Sequence, residues 1–326
     1  MIGLVRAVAI TLAAGLPMLD AAAQPARFPD RPLKMMVGFS AGGGTDVVAR
    51  IVAQKLSESL GQTVVVENRS GASGLIAGDA TAKSPPDGYT VMMGTQTTFA
   101  VAPALHPKTT VDPARDFAGI SMVAVSPLVL VVHPAVAAHS IKDVIEMARS
   151  KPGGVNFGSG GLGTTPHMCG ELFSSLAGIK MTHVAYRGEA PAINDLIGGQ
   201  IPLMFSNLSA VIGNVRAGQL RALAVTSAQR AAVAPEIPTV AESGLPGFEA
   251  ATWFALVAPA GTPLDIRLRL NAEVKRALAQ ADLKQRFADL GMSADDSTPE
   301  GLEAYIKSEI AKWTKVIKDA DIKPAE

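Results

Sequence analysis

The sequence predicts an α/β protein built as two similar lobes with a cleft between them. Apolar strands alternate with amphipathic helices along almost the whole chain, the pattern of helices layered on largely parallel sheets. A unit of strand, glycine loop and helix occurs twice, at residues 37–46 and 155–166, about 120 residues apart and so near one domain length. The chain has 326 residues, more than one typical domain and enough for two.

The opening residues read as a signal peptide. Arg6 supplies a positive n-region, Ala7 to Leu19 an apolar h-region, and Ala21-Ala22-Ala23 a small-x-small cleavage site. Residues 1–23 are therefore expected to be removed near Ala23, leaving a periplasmic protein. The apolar run falls short of the roughly 20 residues that a membrane span needs.

The first strand is the run Leu33 to Val37. The helix after its glycine loop carries Val48, Ile51, Val52 and Leu56 at helical spacing and closes at Gly61, the residue type that helix ends favour. Residues 63–67 are a β-branched strand, and Pro85-Pro86-Asp87-Gly88 a strong turn before the strand 89–94. Thr95-Gln96-Thr97-Thr98 lies just past that strand's carboxyl end, where open parallel sheets bind ligands. Pro127 interrupts the long apolar run 120–132, so this strand is expected to bend or change sheets. Ser140-Ile141-Lys142-Asp143 is a capping box with Asp in place of Glu. The second glycine loop leads into a helix at Thr165-Pro166, with Pro at the favoured first position. Strands at 180–186, 201–205, 221–226 and 250–259 follow, then two long amphipathic helices, the first from Asp265 to Leu290 and the second from Thr298-Pro299. The expected lobes are 24–125 with 228–326, and 126–227.

The two glycine loops carry the chemistry. The first N–H groups of a helix lack intrahelical partners, and the macrodipole places partial positive charge there. Glycines let a ligand approach that backbone, which makes an anion cradle without a charged side chain. The two loops are expected to face each other and hold one small carboxylate.

Other readings fare worse. Formal net charge is +0 and no basic block occurs, which argues against a nucleic-acid partner. Gly38-Phe39-Ser40-Ala41-Gly42 matches the G-x-S-x-G nucleophile elbow, but a triad of that type needs an acid and then a His downstream, and no His follows His183. An exported serine hydrolase using Ser40 is the alternative from another class. Gly158-Ser159-Gly160-Gly161-Leu162-Gly163 matches G-x-G-x-x-G, yet the next strand ends in Tyr186-Arg187 and Glu189 comes too late to hold a ribose. No His or Cys pair sits at metal-ligand spacing, and no metal or cofactor is expected. Cys169, the only cysteine, reads as a small buried hydrophobe. His167 and Arg187 are placed where each could meet a ligand carboxylate. Asp46, in a first helical turn, would repel an anion directly and more plausibly orders the loop or a bridging water.

Several motifs in order carry a resemblance: Phe28-Pro29-Asp30-Arg31-Pro32, the run Phe39 to Asp46, Pro86-Asp87-Gly88-Tyr89-Thr90, and Gly158-Ser159-Gly160 through His167. Thr182-His183-Val184-Ala185-Tyr186-Arg187-Gly188, the run Leu220 to Thr226, Pro238-Thr239-Val240-Ala241-Glu242-Ser243-Gly244 and Ala258-Pro259-Ala260-Gly261-Thr262-Pro263 continue it. With these the chain resembles the Bug/TctC family, extracytoplasmic solute-binding receptors of tripartite tricarboxylate transporters. The resemblance implies a two-lobed periplasmic-binding-protein-like fold of type II, with two crossovers and the ligand cleft between the lobes. It implies a non-enzymatic monomer that captures a small carboxylate, a dicarboxylate or an aromatic acid, and delivers it to membrane permease subunits. An orphan receptor feeding a signalling partner is the remaining alternative. It implies contacts from Phe39, Ser40, Ala41, Gly43, Gly44, Thr45 and Asp46 in the first loop. In the second it implies Ser159, Gly163, Thr164, Thr165 and His167, with Gln96, Thr97, Tyr186, Arg187 and Asn207 lining the remainder. Gly38 stands where relatives usually have Pro, and Ala185-Tyr186-Arg187 replaces the common Pro-Tyr-Lys. Ser206 stands where many relatives carry Asp. Without that Asp a ligand ammonium has one partner fewer, so a plain carboxylate is expected rather than an amino acid.

Overall fold

The computed structural model describes residues 28–106, 108–319, 322 and 323. The expected signal peptide, residues 1–23, lies outside them. β1 (Leu33–Val37) feeds α1 (Gly44–Leu60), which ends at Gly61 in the left-handed region, with the Gly61 N–H on Ser57 O. β2 (Val64–Asn68), α2 (Leu75–Ala82) and β3 (Thr90–Thr95) follow. The single-turn helices α3 (Ala102–Leu105) and α4 (Pro113–Asp116) lead into β4 (Phe117–Val132). α5 (Ile141–Ser150) opens as its cap predicts: Ser140 Oγ accepts the Asp143 N–H, and Asp143 in turn accepts the His139 N–H. Then come β5 (Asn156–Ser159), α6 (Thr165–Ala177), β6 (Thr182–Ala185), α7 (Glu189–Ile197), β7 (Leu203–Asn207), α8 (Leu208–Arg216) and β8 (Arg221–Val225). β9 (Ala251–Pro259), α9 (Leu264–Ala279), α10 (Ala281–Asp289), β10 (Ser293–Ala294) and α11 (Pro299–Asp319) complete the chain.

β4 is common to both lobes. Its first part pairs antiparallel with β9 as far as Pro127, in a sheet ordered β2-β1-β3-β9-β4. From Leu128 to Val132 it pairs instead with β7 and β8, in a sheet that continues through β5 to β6. A proline has no N–H to donate to a ladder, so the change of partner falls at Pro127, where that loss is tolerated. Each sheet is covered on both faces. In the first lobe α1, α9 and α10 pack on one face, with α2 and α11 on the other. In the second, α5 and α6 cover one face, with Cys169 among the buried residues, and α7 and α8 cover the other.

Two expectations differ from the structure. The return to the first lobe was placed at residue 228. Instead Ala231, Ala234 and Ile237 pack with β8, and Val240, Leu245 and Phe248 pack with α6 and β7, so the chain leaves the second lobe only at β9. These residues lie on irregular turns, where no helical or strand periodicity marks them as core. The expected single helix from Asp265 to Leu290 breaks at Gln280, which is extended at φ −67 and ψ 135. The break lets Leu283 and Phe287 of α10 join the first lobe's core.

The topology decides what meets in the middle. β1, β3, β5 and β7 all end at the seam between the lobes, the rule for ligand sites in parallel sheets. β9 runs antiparallel to β3, pairing Phe254 with Thr95, so its first residues arrive at the same seam.

Candidate functional site

The first loop is ordered from behind. Asp46 Oδ2 accepts the Gly42 N–H and Arg50 Nε, both at 2.9 Å, and Oδ1 accepts Asn68 Nδ2 at 2.9 Å. Asn68 Nδ2 also donates to Phe39 O at 3.0 Å, so one amide ties the loop to the end of β2. Burial works to raise the Asp46 pKa, but the Arg50, Gly42 and Asn68 hydrogen bonds outweigh it and hold the carboxyl below its ordinary value. Asp46 thus shapes the loop and does not reach the cleft.

The second loop is ordered by neutral groups. Ser159 Oγ accepts the Gly161 N–H at 3.2 Å and lies 2.6 Å from His183 Nε2. The Gly163 N–H donates to His167 Nδ1 at 3.0 Å, which places the ring proton on Nε2, 3.5 Å from Glu171. The two imidazoles stack with centroids 3.9 Å apart. Burial, with the neighbouring His167, pushes the His183 pKa down to about 3.

The lobes are closed on one another. The Thr165 N–H at the start of α6 donates across the seam to Thr97 Oγ1 at 3.0 Å. The Gly44 N–H at the start of α1 donates the other way, to Glu189 Oε2 at 3.1 Å. Each lobe thereby caps a helix of its neighbour. Ser73 Oγ donates to Leu162 O near the same seam. Gly188 has φ +126 and lies so close to Ser40 that a Cβ there would overlap it. Only glycine serves at that position.

Between the two helix ends lies a cavity of about 30 Å³, room for about one or two waters. From the predicted set, Phe39, Gly43, Gly44, Thr45 and Thr97 line it from the first lobe, and Thr164, Thr165 and Asn207 from the second. The remaining predicted residues lie elsewhere. Ser159, Gly163 and His167 sit behind the second loop, as Asp46 does behind the first. Ala41 is exposed, and Ser40 Oγ is buried at the seam with no hydrogen-bond partner. Tyr186 donates its hydroxyl to Asp195 at 2.7 Å and, with the exposed Arg187, borders a separate gap beside the seam. Gln96 turns to the hinge side, where its amide, with oxygen and nitrogen interchanged, donates to Ala251 O and accepts from Trp313 Nε1.

Five lining residues stand outside the predicted set, Thr95, Gly160, Pro166, Glu189 and Thr252, and the last two carry chemistry that the sequence reading missed. Thr252, 3% exposed, opens β9 and has its hydroxyl buried without a partner. Glu189, 7% exposed, opens α7 and holds Gly44, Ser206 and Asn207. The signal for Glu189 was its place directly after Gly188, in the first turn of a helix, where acids are favoured. Thr252 had no signal beyond strand alternation. Among the described residues no group of His, Cys, Asp and Glu is arranged to hold a metal ion.

Comparison with known proteins places this geometry in a family. A model described as the tripartite tricarboxylate transporter family receptor, TctC, matches residues 48–322. Protein BugT of Bordetella pertussis is 39% identical over 297 residues, spanning 91% of this chain and 91% of that protein. A Rhodopseudomonas palustris protein solved with adipate superposes with a TM-score of 0.89 at 38% identity, covering 91% of this chain and 100% of that one. MatC of the same species, solved with bound malate, has a TM-score of 0.84 at 32% identity, over 89% and 100% of the two chains. The two-lobed α/β architecture is accordingly that of the periplasmic binding proteins, and the chain belongs to the TctC family of tripartite tricarboxylate transporter receptors.

Proposed function

We propose that the protein is a periplasmic receptor that captures a small carboxylate, a dicarboxylate or an aromatic acid, and delivers it as a monomer to the membrane permease subunits of a tripartite tricarboxylate transporter. The observation that carries this reading is the convergence of two helix N-termini, one from each lobe, on a single cavity. Helix ends and hydroxyls attract a carboxylate without a fixed cation, and buried Thr252 Oγ1 is left for a ligand to satisfy. The adipate and malate held by two relatives support the same ligand class. Among the described residues no helix is long and apolar enough to cross a membrane, in keeping with a receptor that works beside its permease.

Hinge opening admits the ligand and closure shields it from bulk water. No bond is made or broken in this scheme. Ser40 Oγ has no base in hydrogen-bond reach, and so no observation favours the hydrolase reading. A thermal-shift screen over dicarboxylates, aromatic acids and amino acids tests the proposal. A ligand at 100 times its Kd stabilises the folded form by about 2.7 kcal/mol. A clear rise in Tm with at least one carboxylate, confirmed by calorimetric titration, is expected. A flat panel, with neutral sugars or amines shifting Tm instead, would refute it.

A further inference from the structure

The cleft has one charged lining residue among those described, and it is acidic: Glu189. Its carboxylate is met only by donors. Oε1 accepts Ser206 Oγ at 2.7 Å and the Asn207 N–H at 2.6 Å, while Oε2 accepts the Gly44 N–H at 3.1 Å and Asn207 Nδ2 at 3.0 Å. A carboxyl met on both oxygens by N–H and O–H groups alone is bonded as an ionised carboxylate. No lysine, arginine or histidine lines the cavity with it.

Two consequences follow from charge and from orphaned atoms. Each helix end is equivalent to roughly half a positive charge, so the two ends together are about matched by the Glu189 carboxylate. The cavity is therefore close to neutral, and a ligand bearing only negative groups meets no surplus of positive charge. Asn207 spends its Nδ2 on Glu189, which leaves its carbonyl Oδ1 buried without a donor. Only the amide nitrogen can face two carboxylate oxygens, so the orientation is not in question. Asn207 Oδ1 thus stands as an unfilled acceptor beside the ionised Glu189 carboxylate, while hydroxyls of Thr97 and Thr252 line the same space.

We propose that Glu189, held by Ser206 and Asn207, is the specificity-determining residue of the cleft, and that the ligand carries an ammonium or N–H group facing it as well as a carboxylate. This rests on the carboxylate-receptor reading and narrows it. It also reverses one expectation. The absence of an acid at Ser206 pointed to a plain carboxylate. The structure brings Glu189 onto the Ser206 hydroxyl, so the acid missing from one position is supplied from another.

Matched pairs of ligands test the point: aspartate against succinate, glutamate against glutarate, and 3-(aminomethyl)benzoate against 3-methylbenzoate. Calorimetric titration of the wild-type protein is expected to favour the amino member of at least one pair by about tenfold or more, the gain a charge-assisted hydrogen bond supplies. Glu189→Gln keeps the shape and removes the charge. It is expected to reduce that preference to about threefold or less, with the fold checked by circular dichroism. Because the readout is a ratio, a general loss of affinity in the variant cancels. A wild-type protein that binds the member without nitrogen as tightly in every pair, or a Glu189→Gln variant that keeps the wild-type ratio, overturns the proposal and leaves the carboxylate receptor standing. Failure of every carboxylate to bind the folded protein removes both readings together.

Discussion

The loop after β1 is held from behind by an ionised carboxylate, Asp46, whereas the loop after β5 is held by hydroxyls and two stacked imidazoles. The seam repeats the contrast. The Gly44 N–H of the first loop is capped across the lobes by the charged Glu189, and the Thr165 N–H of the second by the neutral Thr97 hydroxyl. Two copies of one backbone plan have thus been given opposite electrostatics. The Arg50 side chain is 53% exposed, so its ion pair with Asp46 adds little, and the worth of Asp46 lies in the Gly42 and Asn68 hydrogen bonds.

The comparison breaks most readily where both loops touch. In Gly188→Ala the new Cβ enters Ser40, and a left-handed φ is forced on a residue that resists it. We expect closure to lose about 2–3 kcal/mol, and affinity for the best carboxylate of the panel to fall by about 30-fold or more. Titration showing less than about a threefold loss would mean that the seam opens at this point in the bound state.

The pH dependence of stability sharpens the contrast between the anchors. His183 is held down to about 3 in the folded protein, against an ordinary value of about 6.5. Between those limits the unfolded chain binds a proton that the folded one refuses, so the second loop's contribution is whole above about pH 6.5 and is lost as pH falls, at up to roughly 1.4 kcal/mol per unit. Asp46 is also lowered, but from an ordinary value of 3.8. Its contribution is therefore whole above that value and fails only at lower pH. Denaturant melts from pH 7 to 4.5 should show a slope that His183→Gln flattens and Asp46→Asn does not. An equal slope in the wild-type and His183→Gln proteins would contradict the assignment.

The smallest effect is expected from Thr97→Val, which removes the acceptor of the Thr165 N–H with little change of shape. About 1 kcal/mol of closure should be lost, read as a fall of about fivefold in affinity with unfolding midpoints nearly unchanged. A drop in stability as large as the drop in binding would place Thr97 in the fold of the first lobe and not in the seam.

Much of this architecture was legible before any coordinates. Val48, Ile51, Val52 and Leu56 announce α1 because burial on one face imposes a 3.6-residue period. Ser140 announces a helix start because orphan N–H groups need a side-chain oxygen, and Pro166 announces another because it has no N–H to leave orphaned. Pro127 announces the change of sheet because it cannot donate to a ladder. Residues 228–250 were misplaced because their core contacts follow no period. Gln96 was expected in the cleft from its place beyond β3, and a turn of one residue between Gln96 and Thr97 was enough to send it to the hinge.

By itself the sequence determined the two strand–glycine–helix units, the proline in the first turn of the second helix, and the family resemblance that the comparisons support. These rest on forces acting within a turn or two of helix or along one strand. Only the tertiary structure decided which side chains share the cleft. Gly44 and Glu189 are 145 residues apart in the chain, and Thr97 and Thr165 are 68 apart. No local rule relates such positions, because their meeting depends on how two separately packed lobes close.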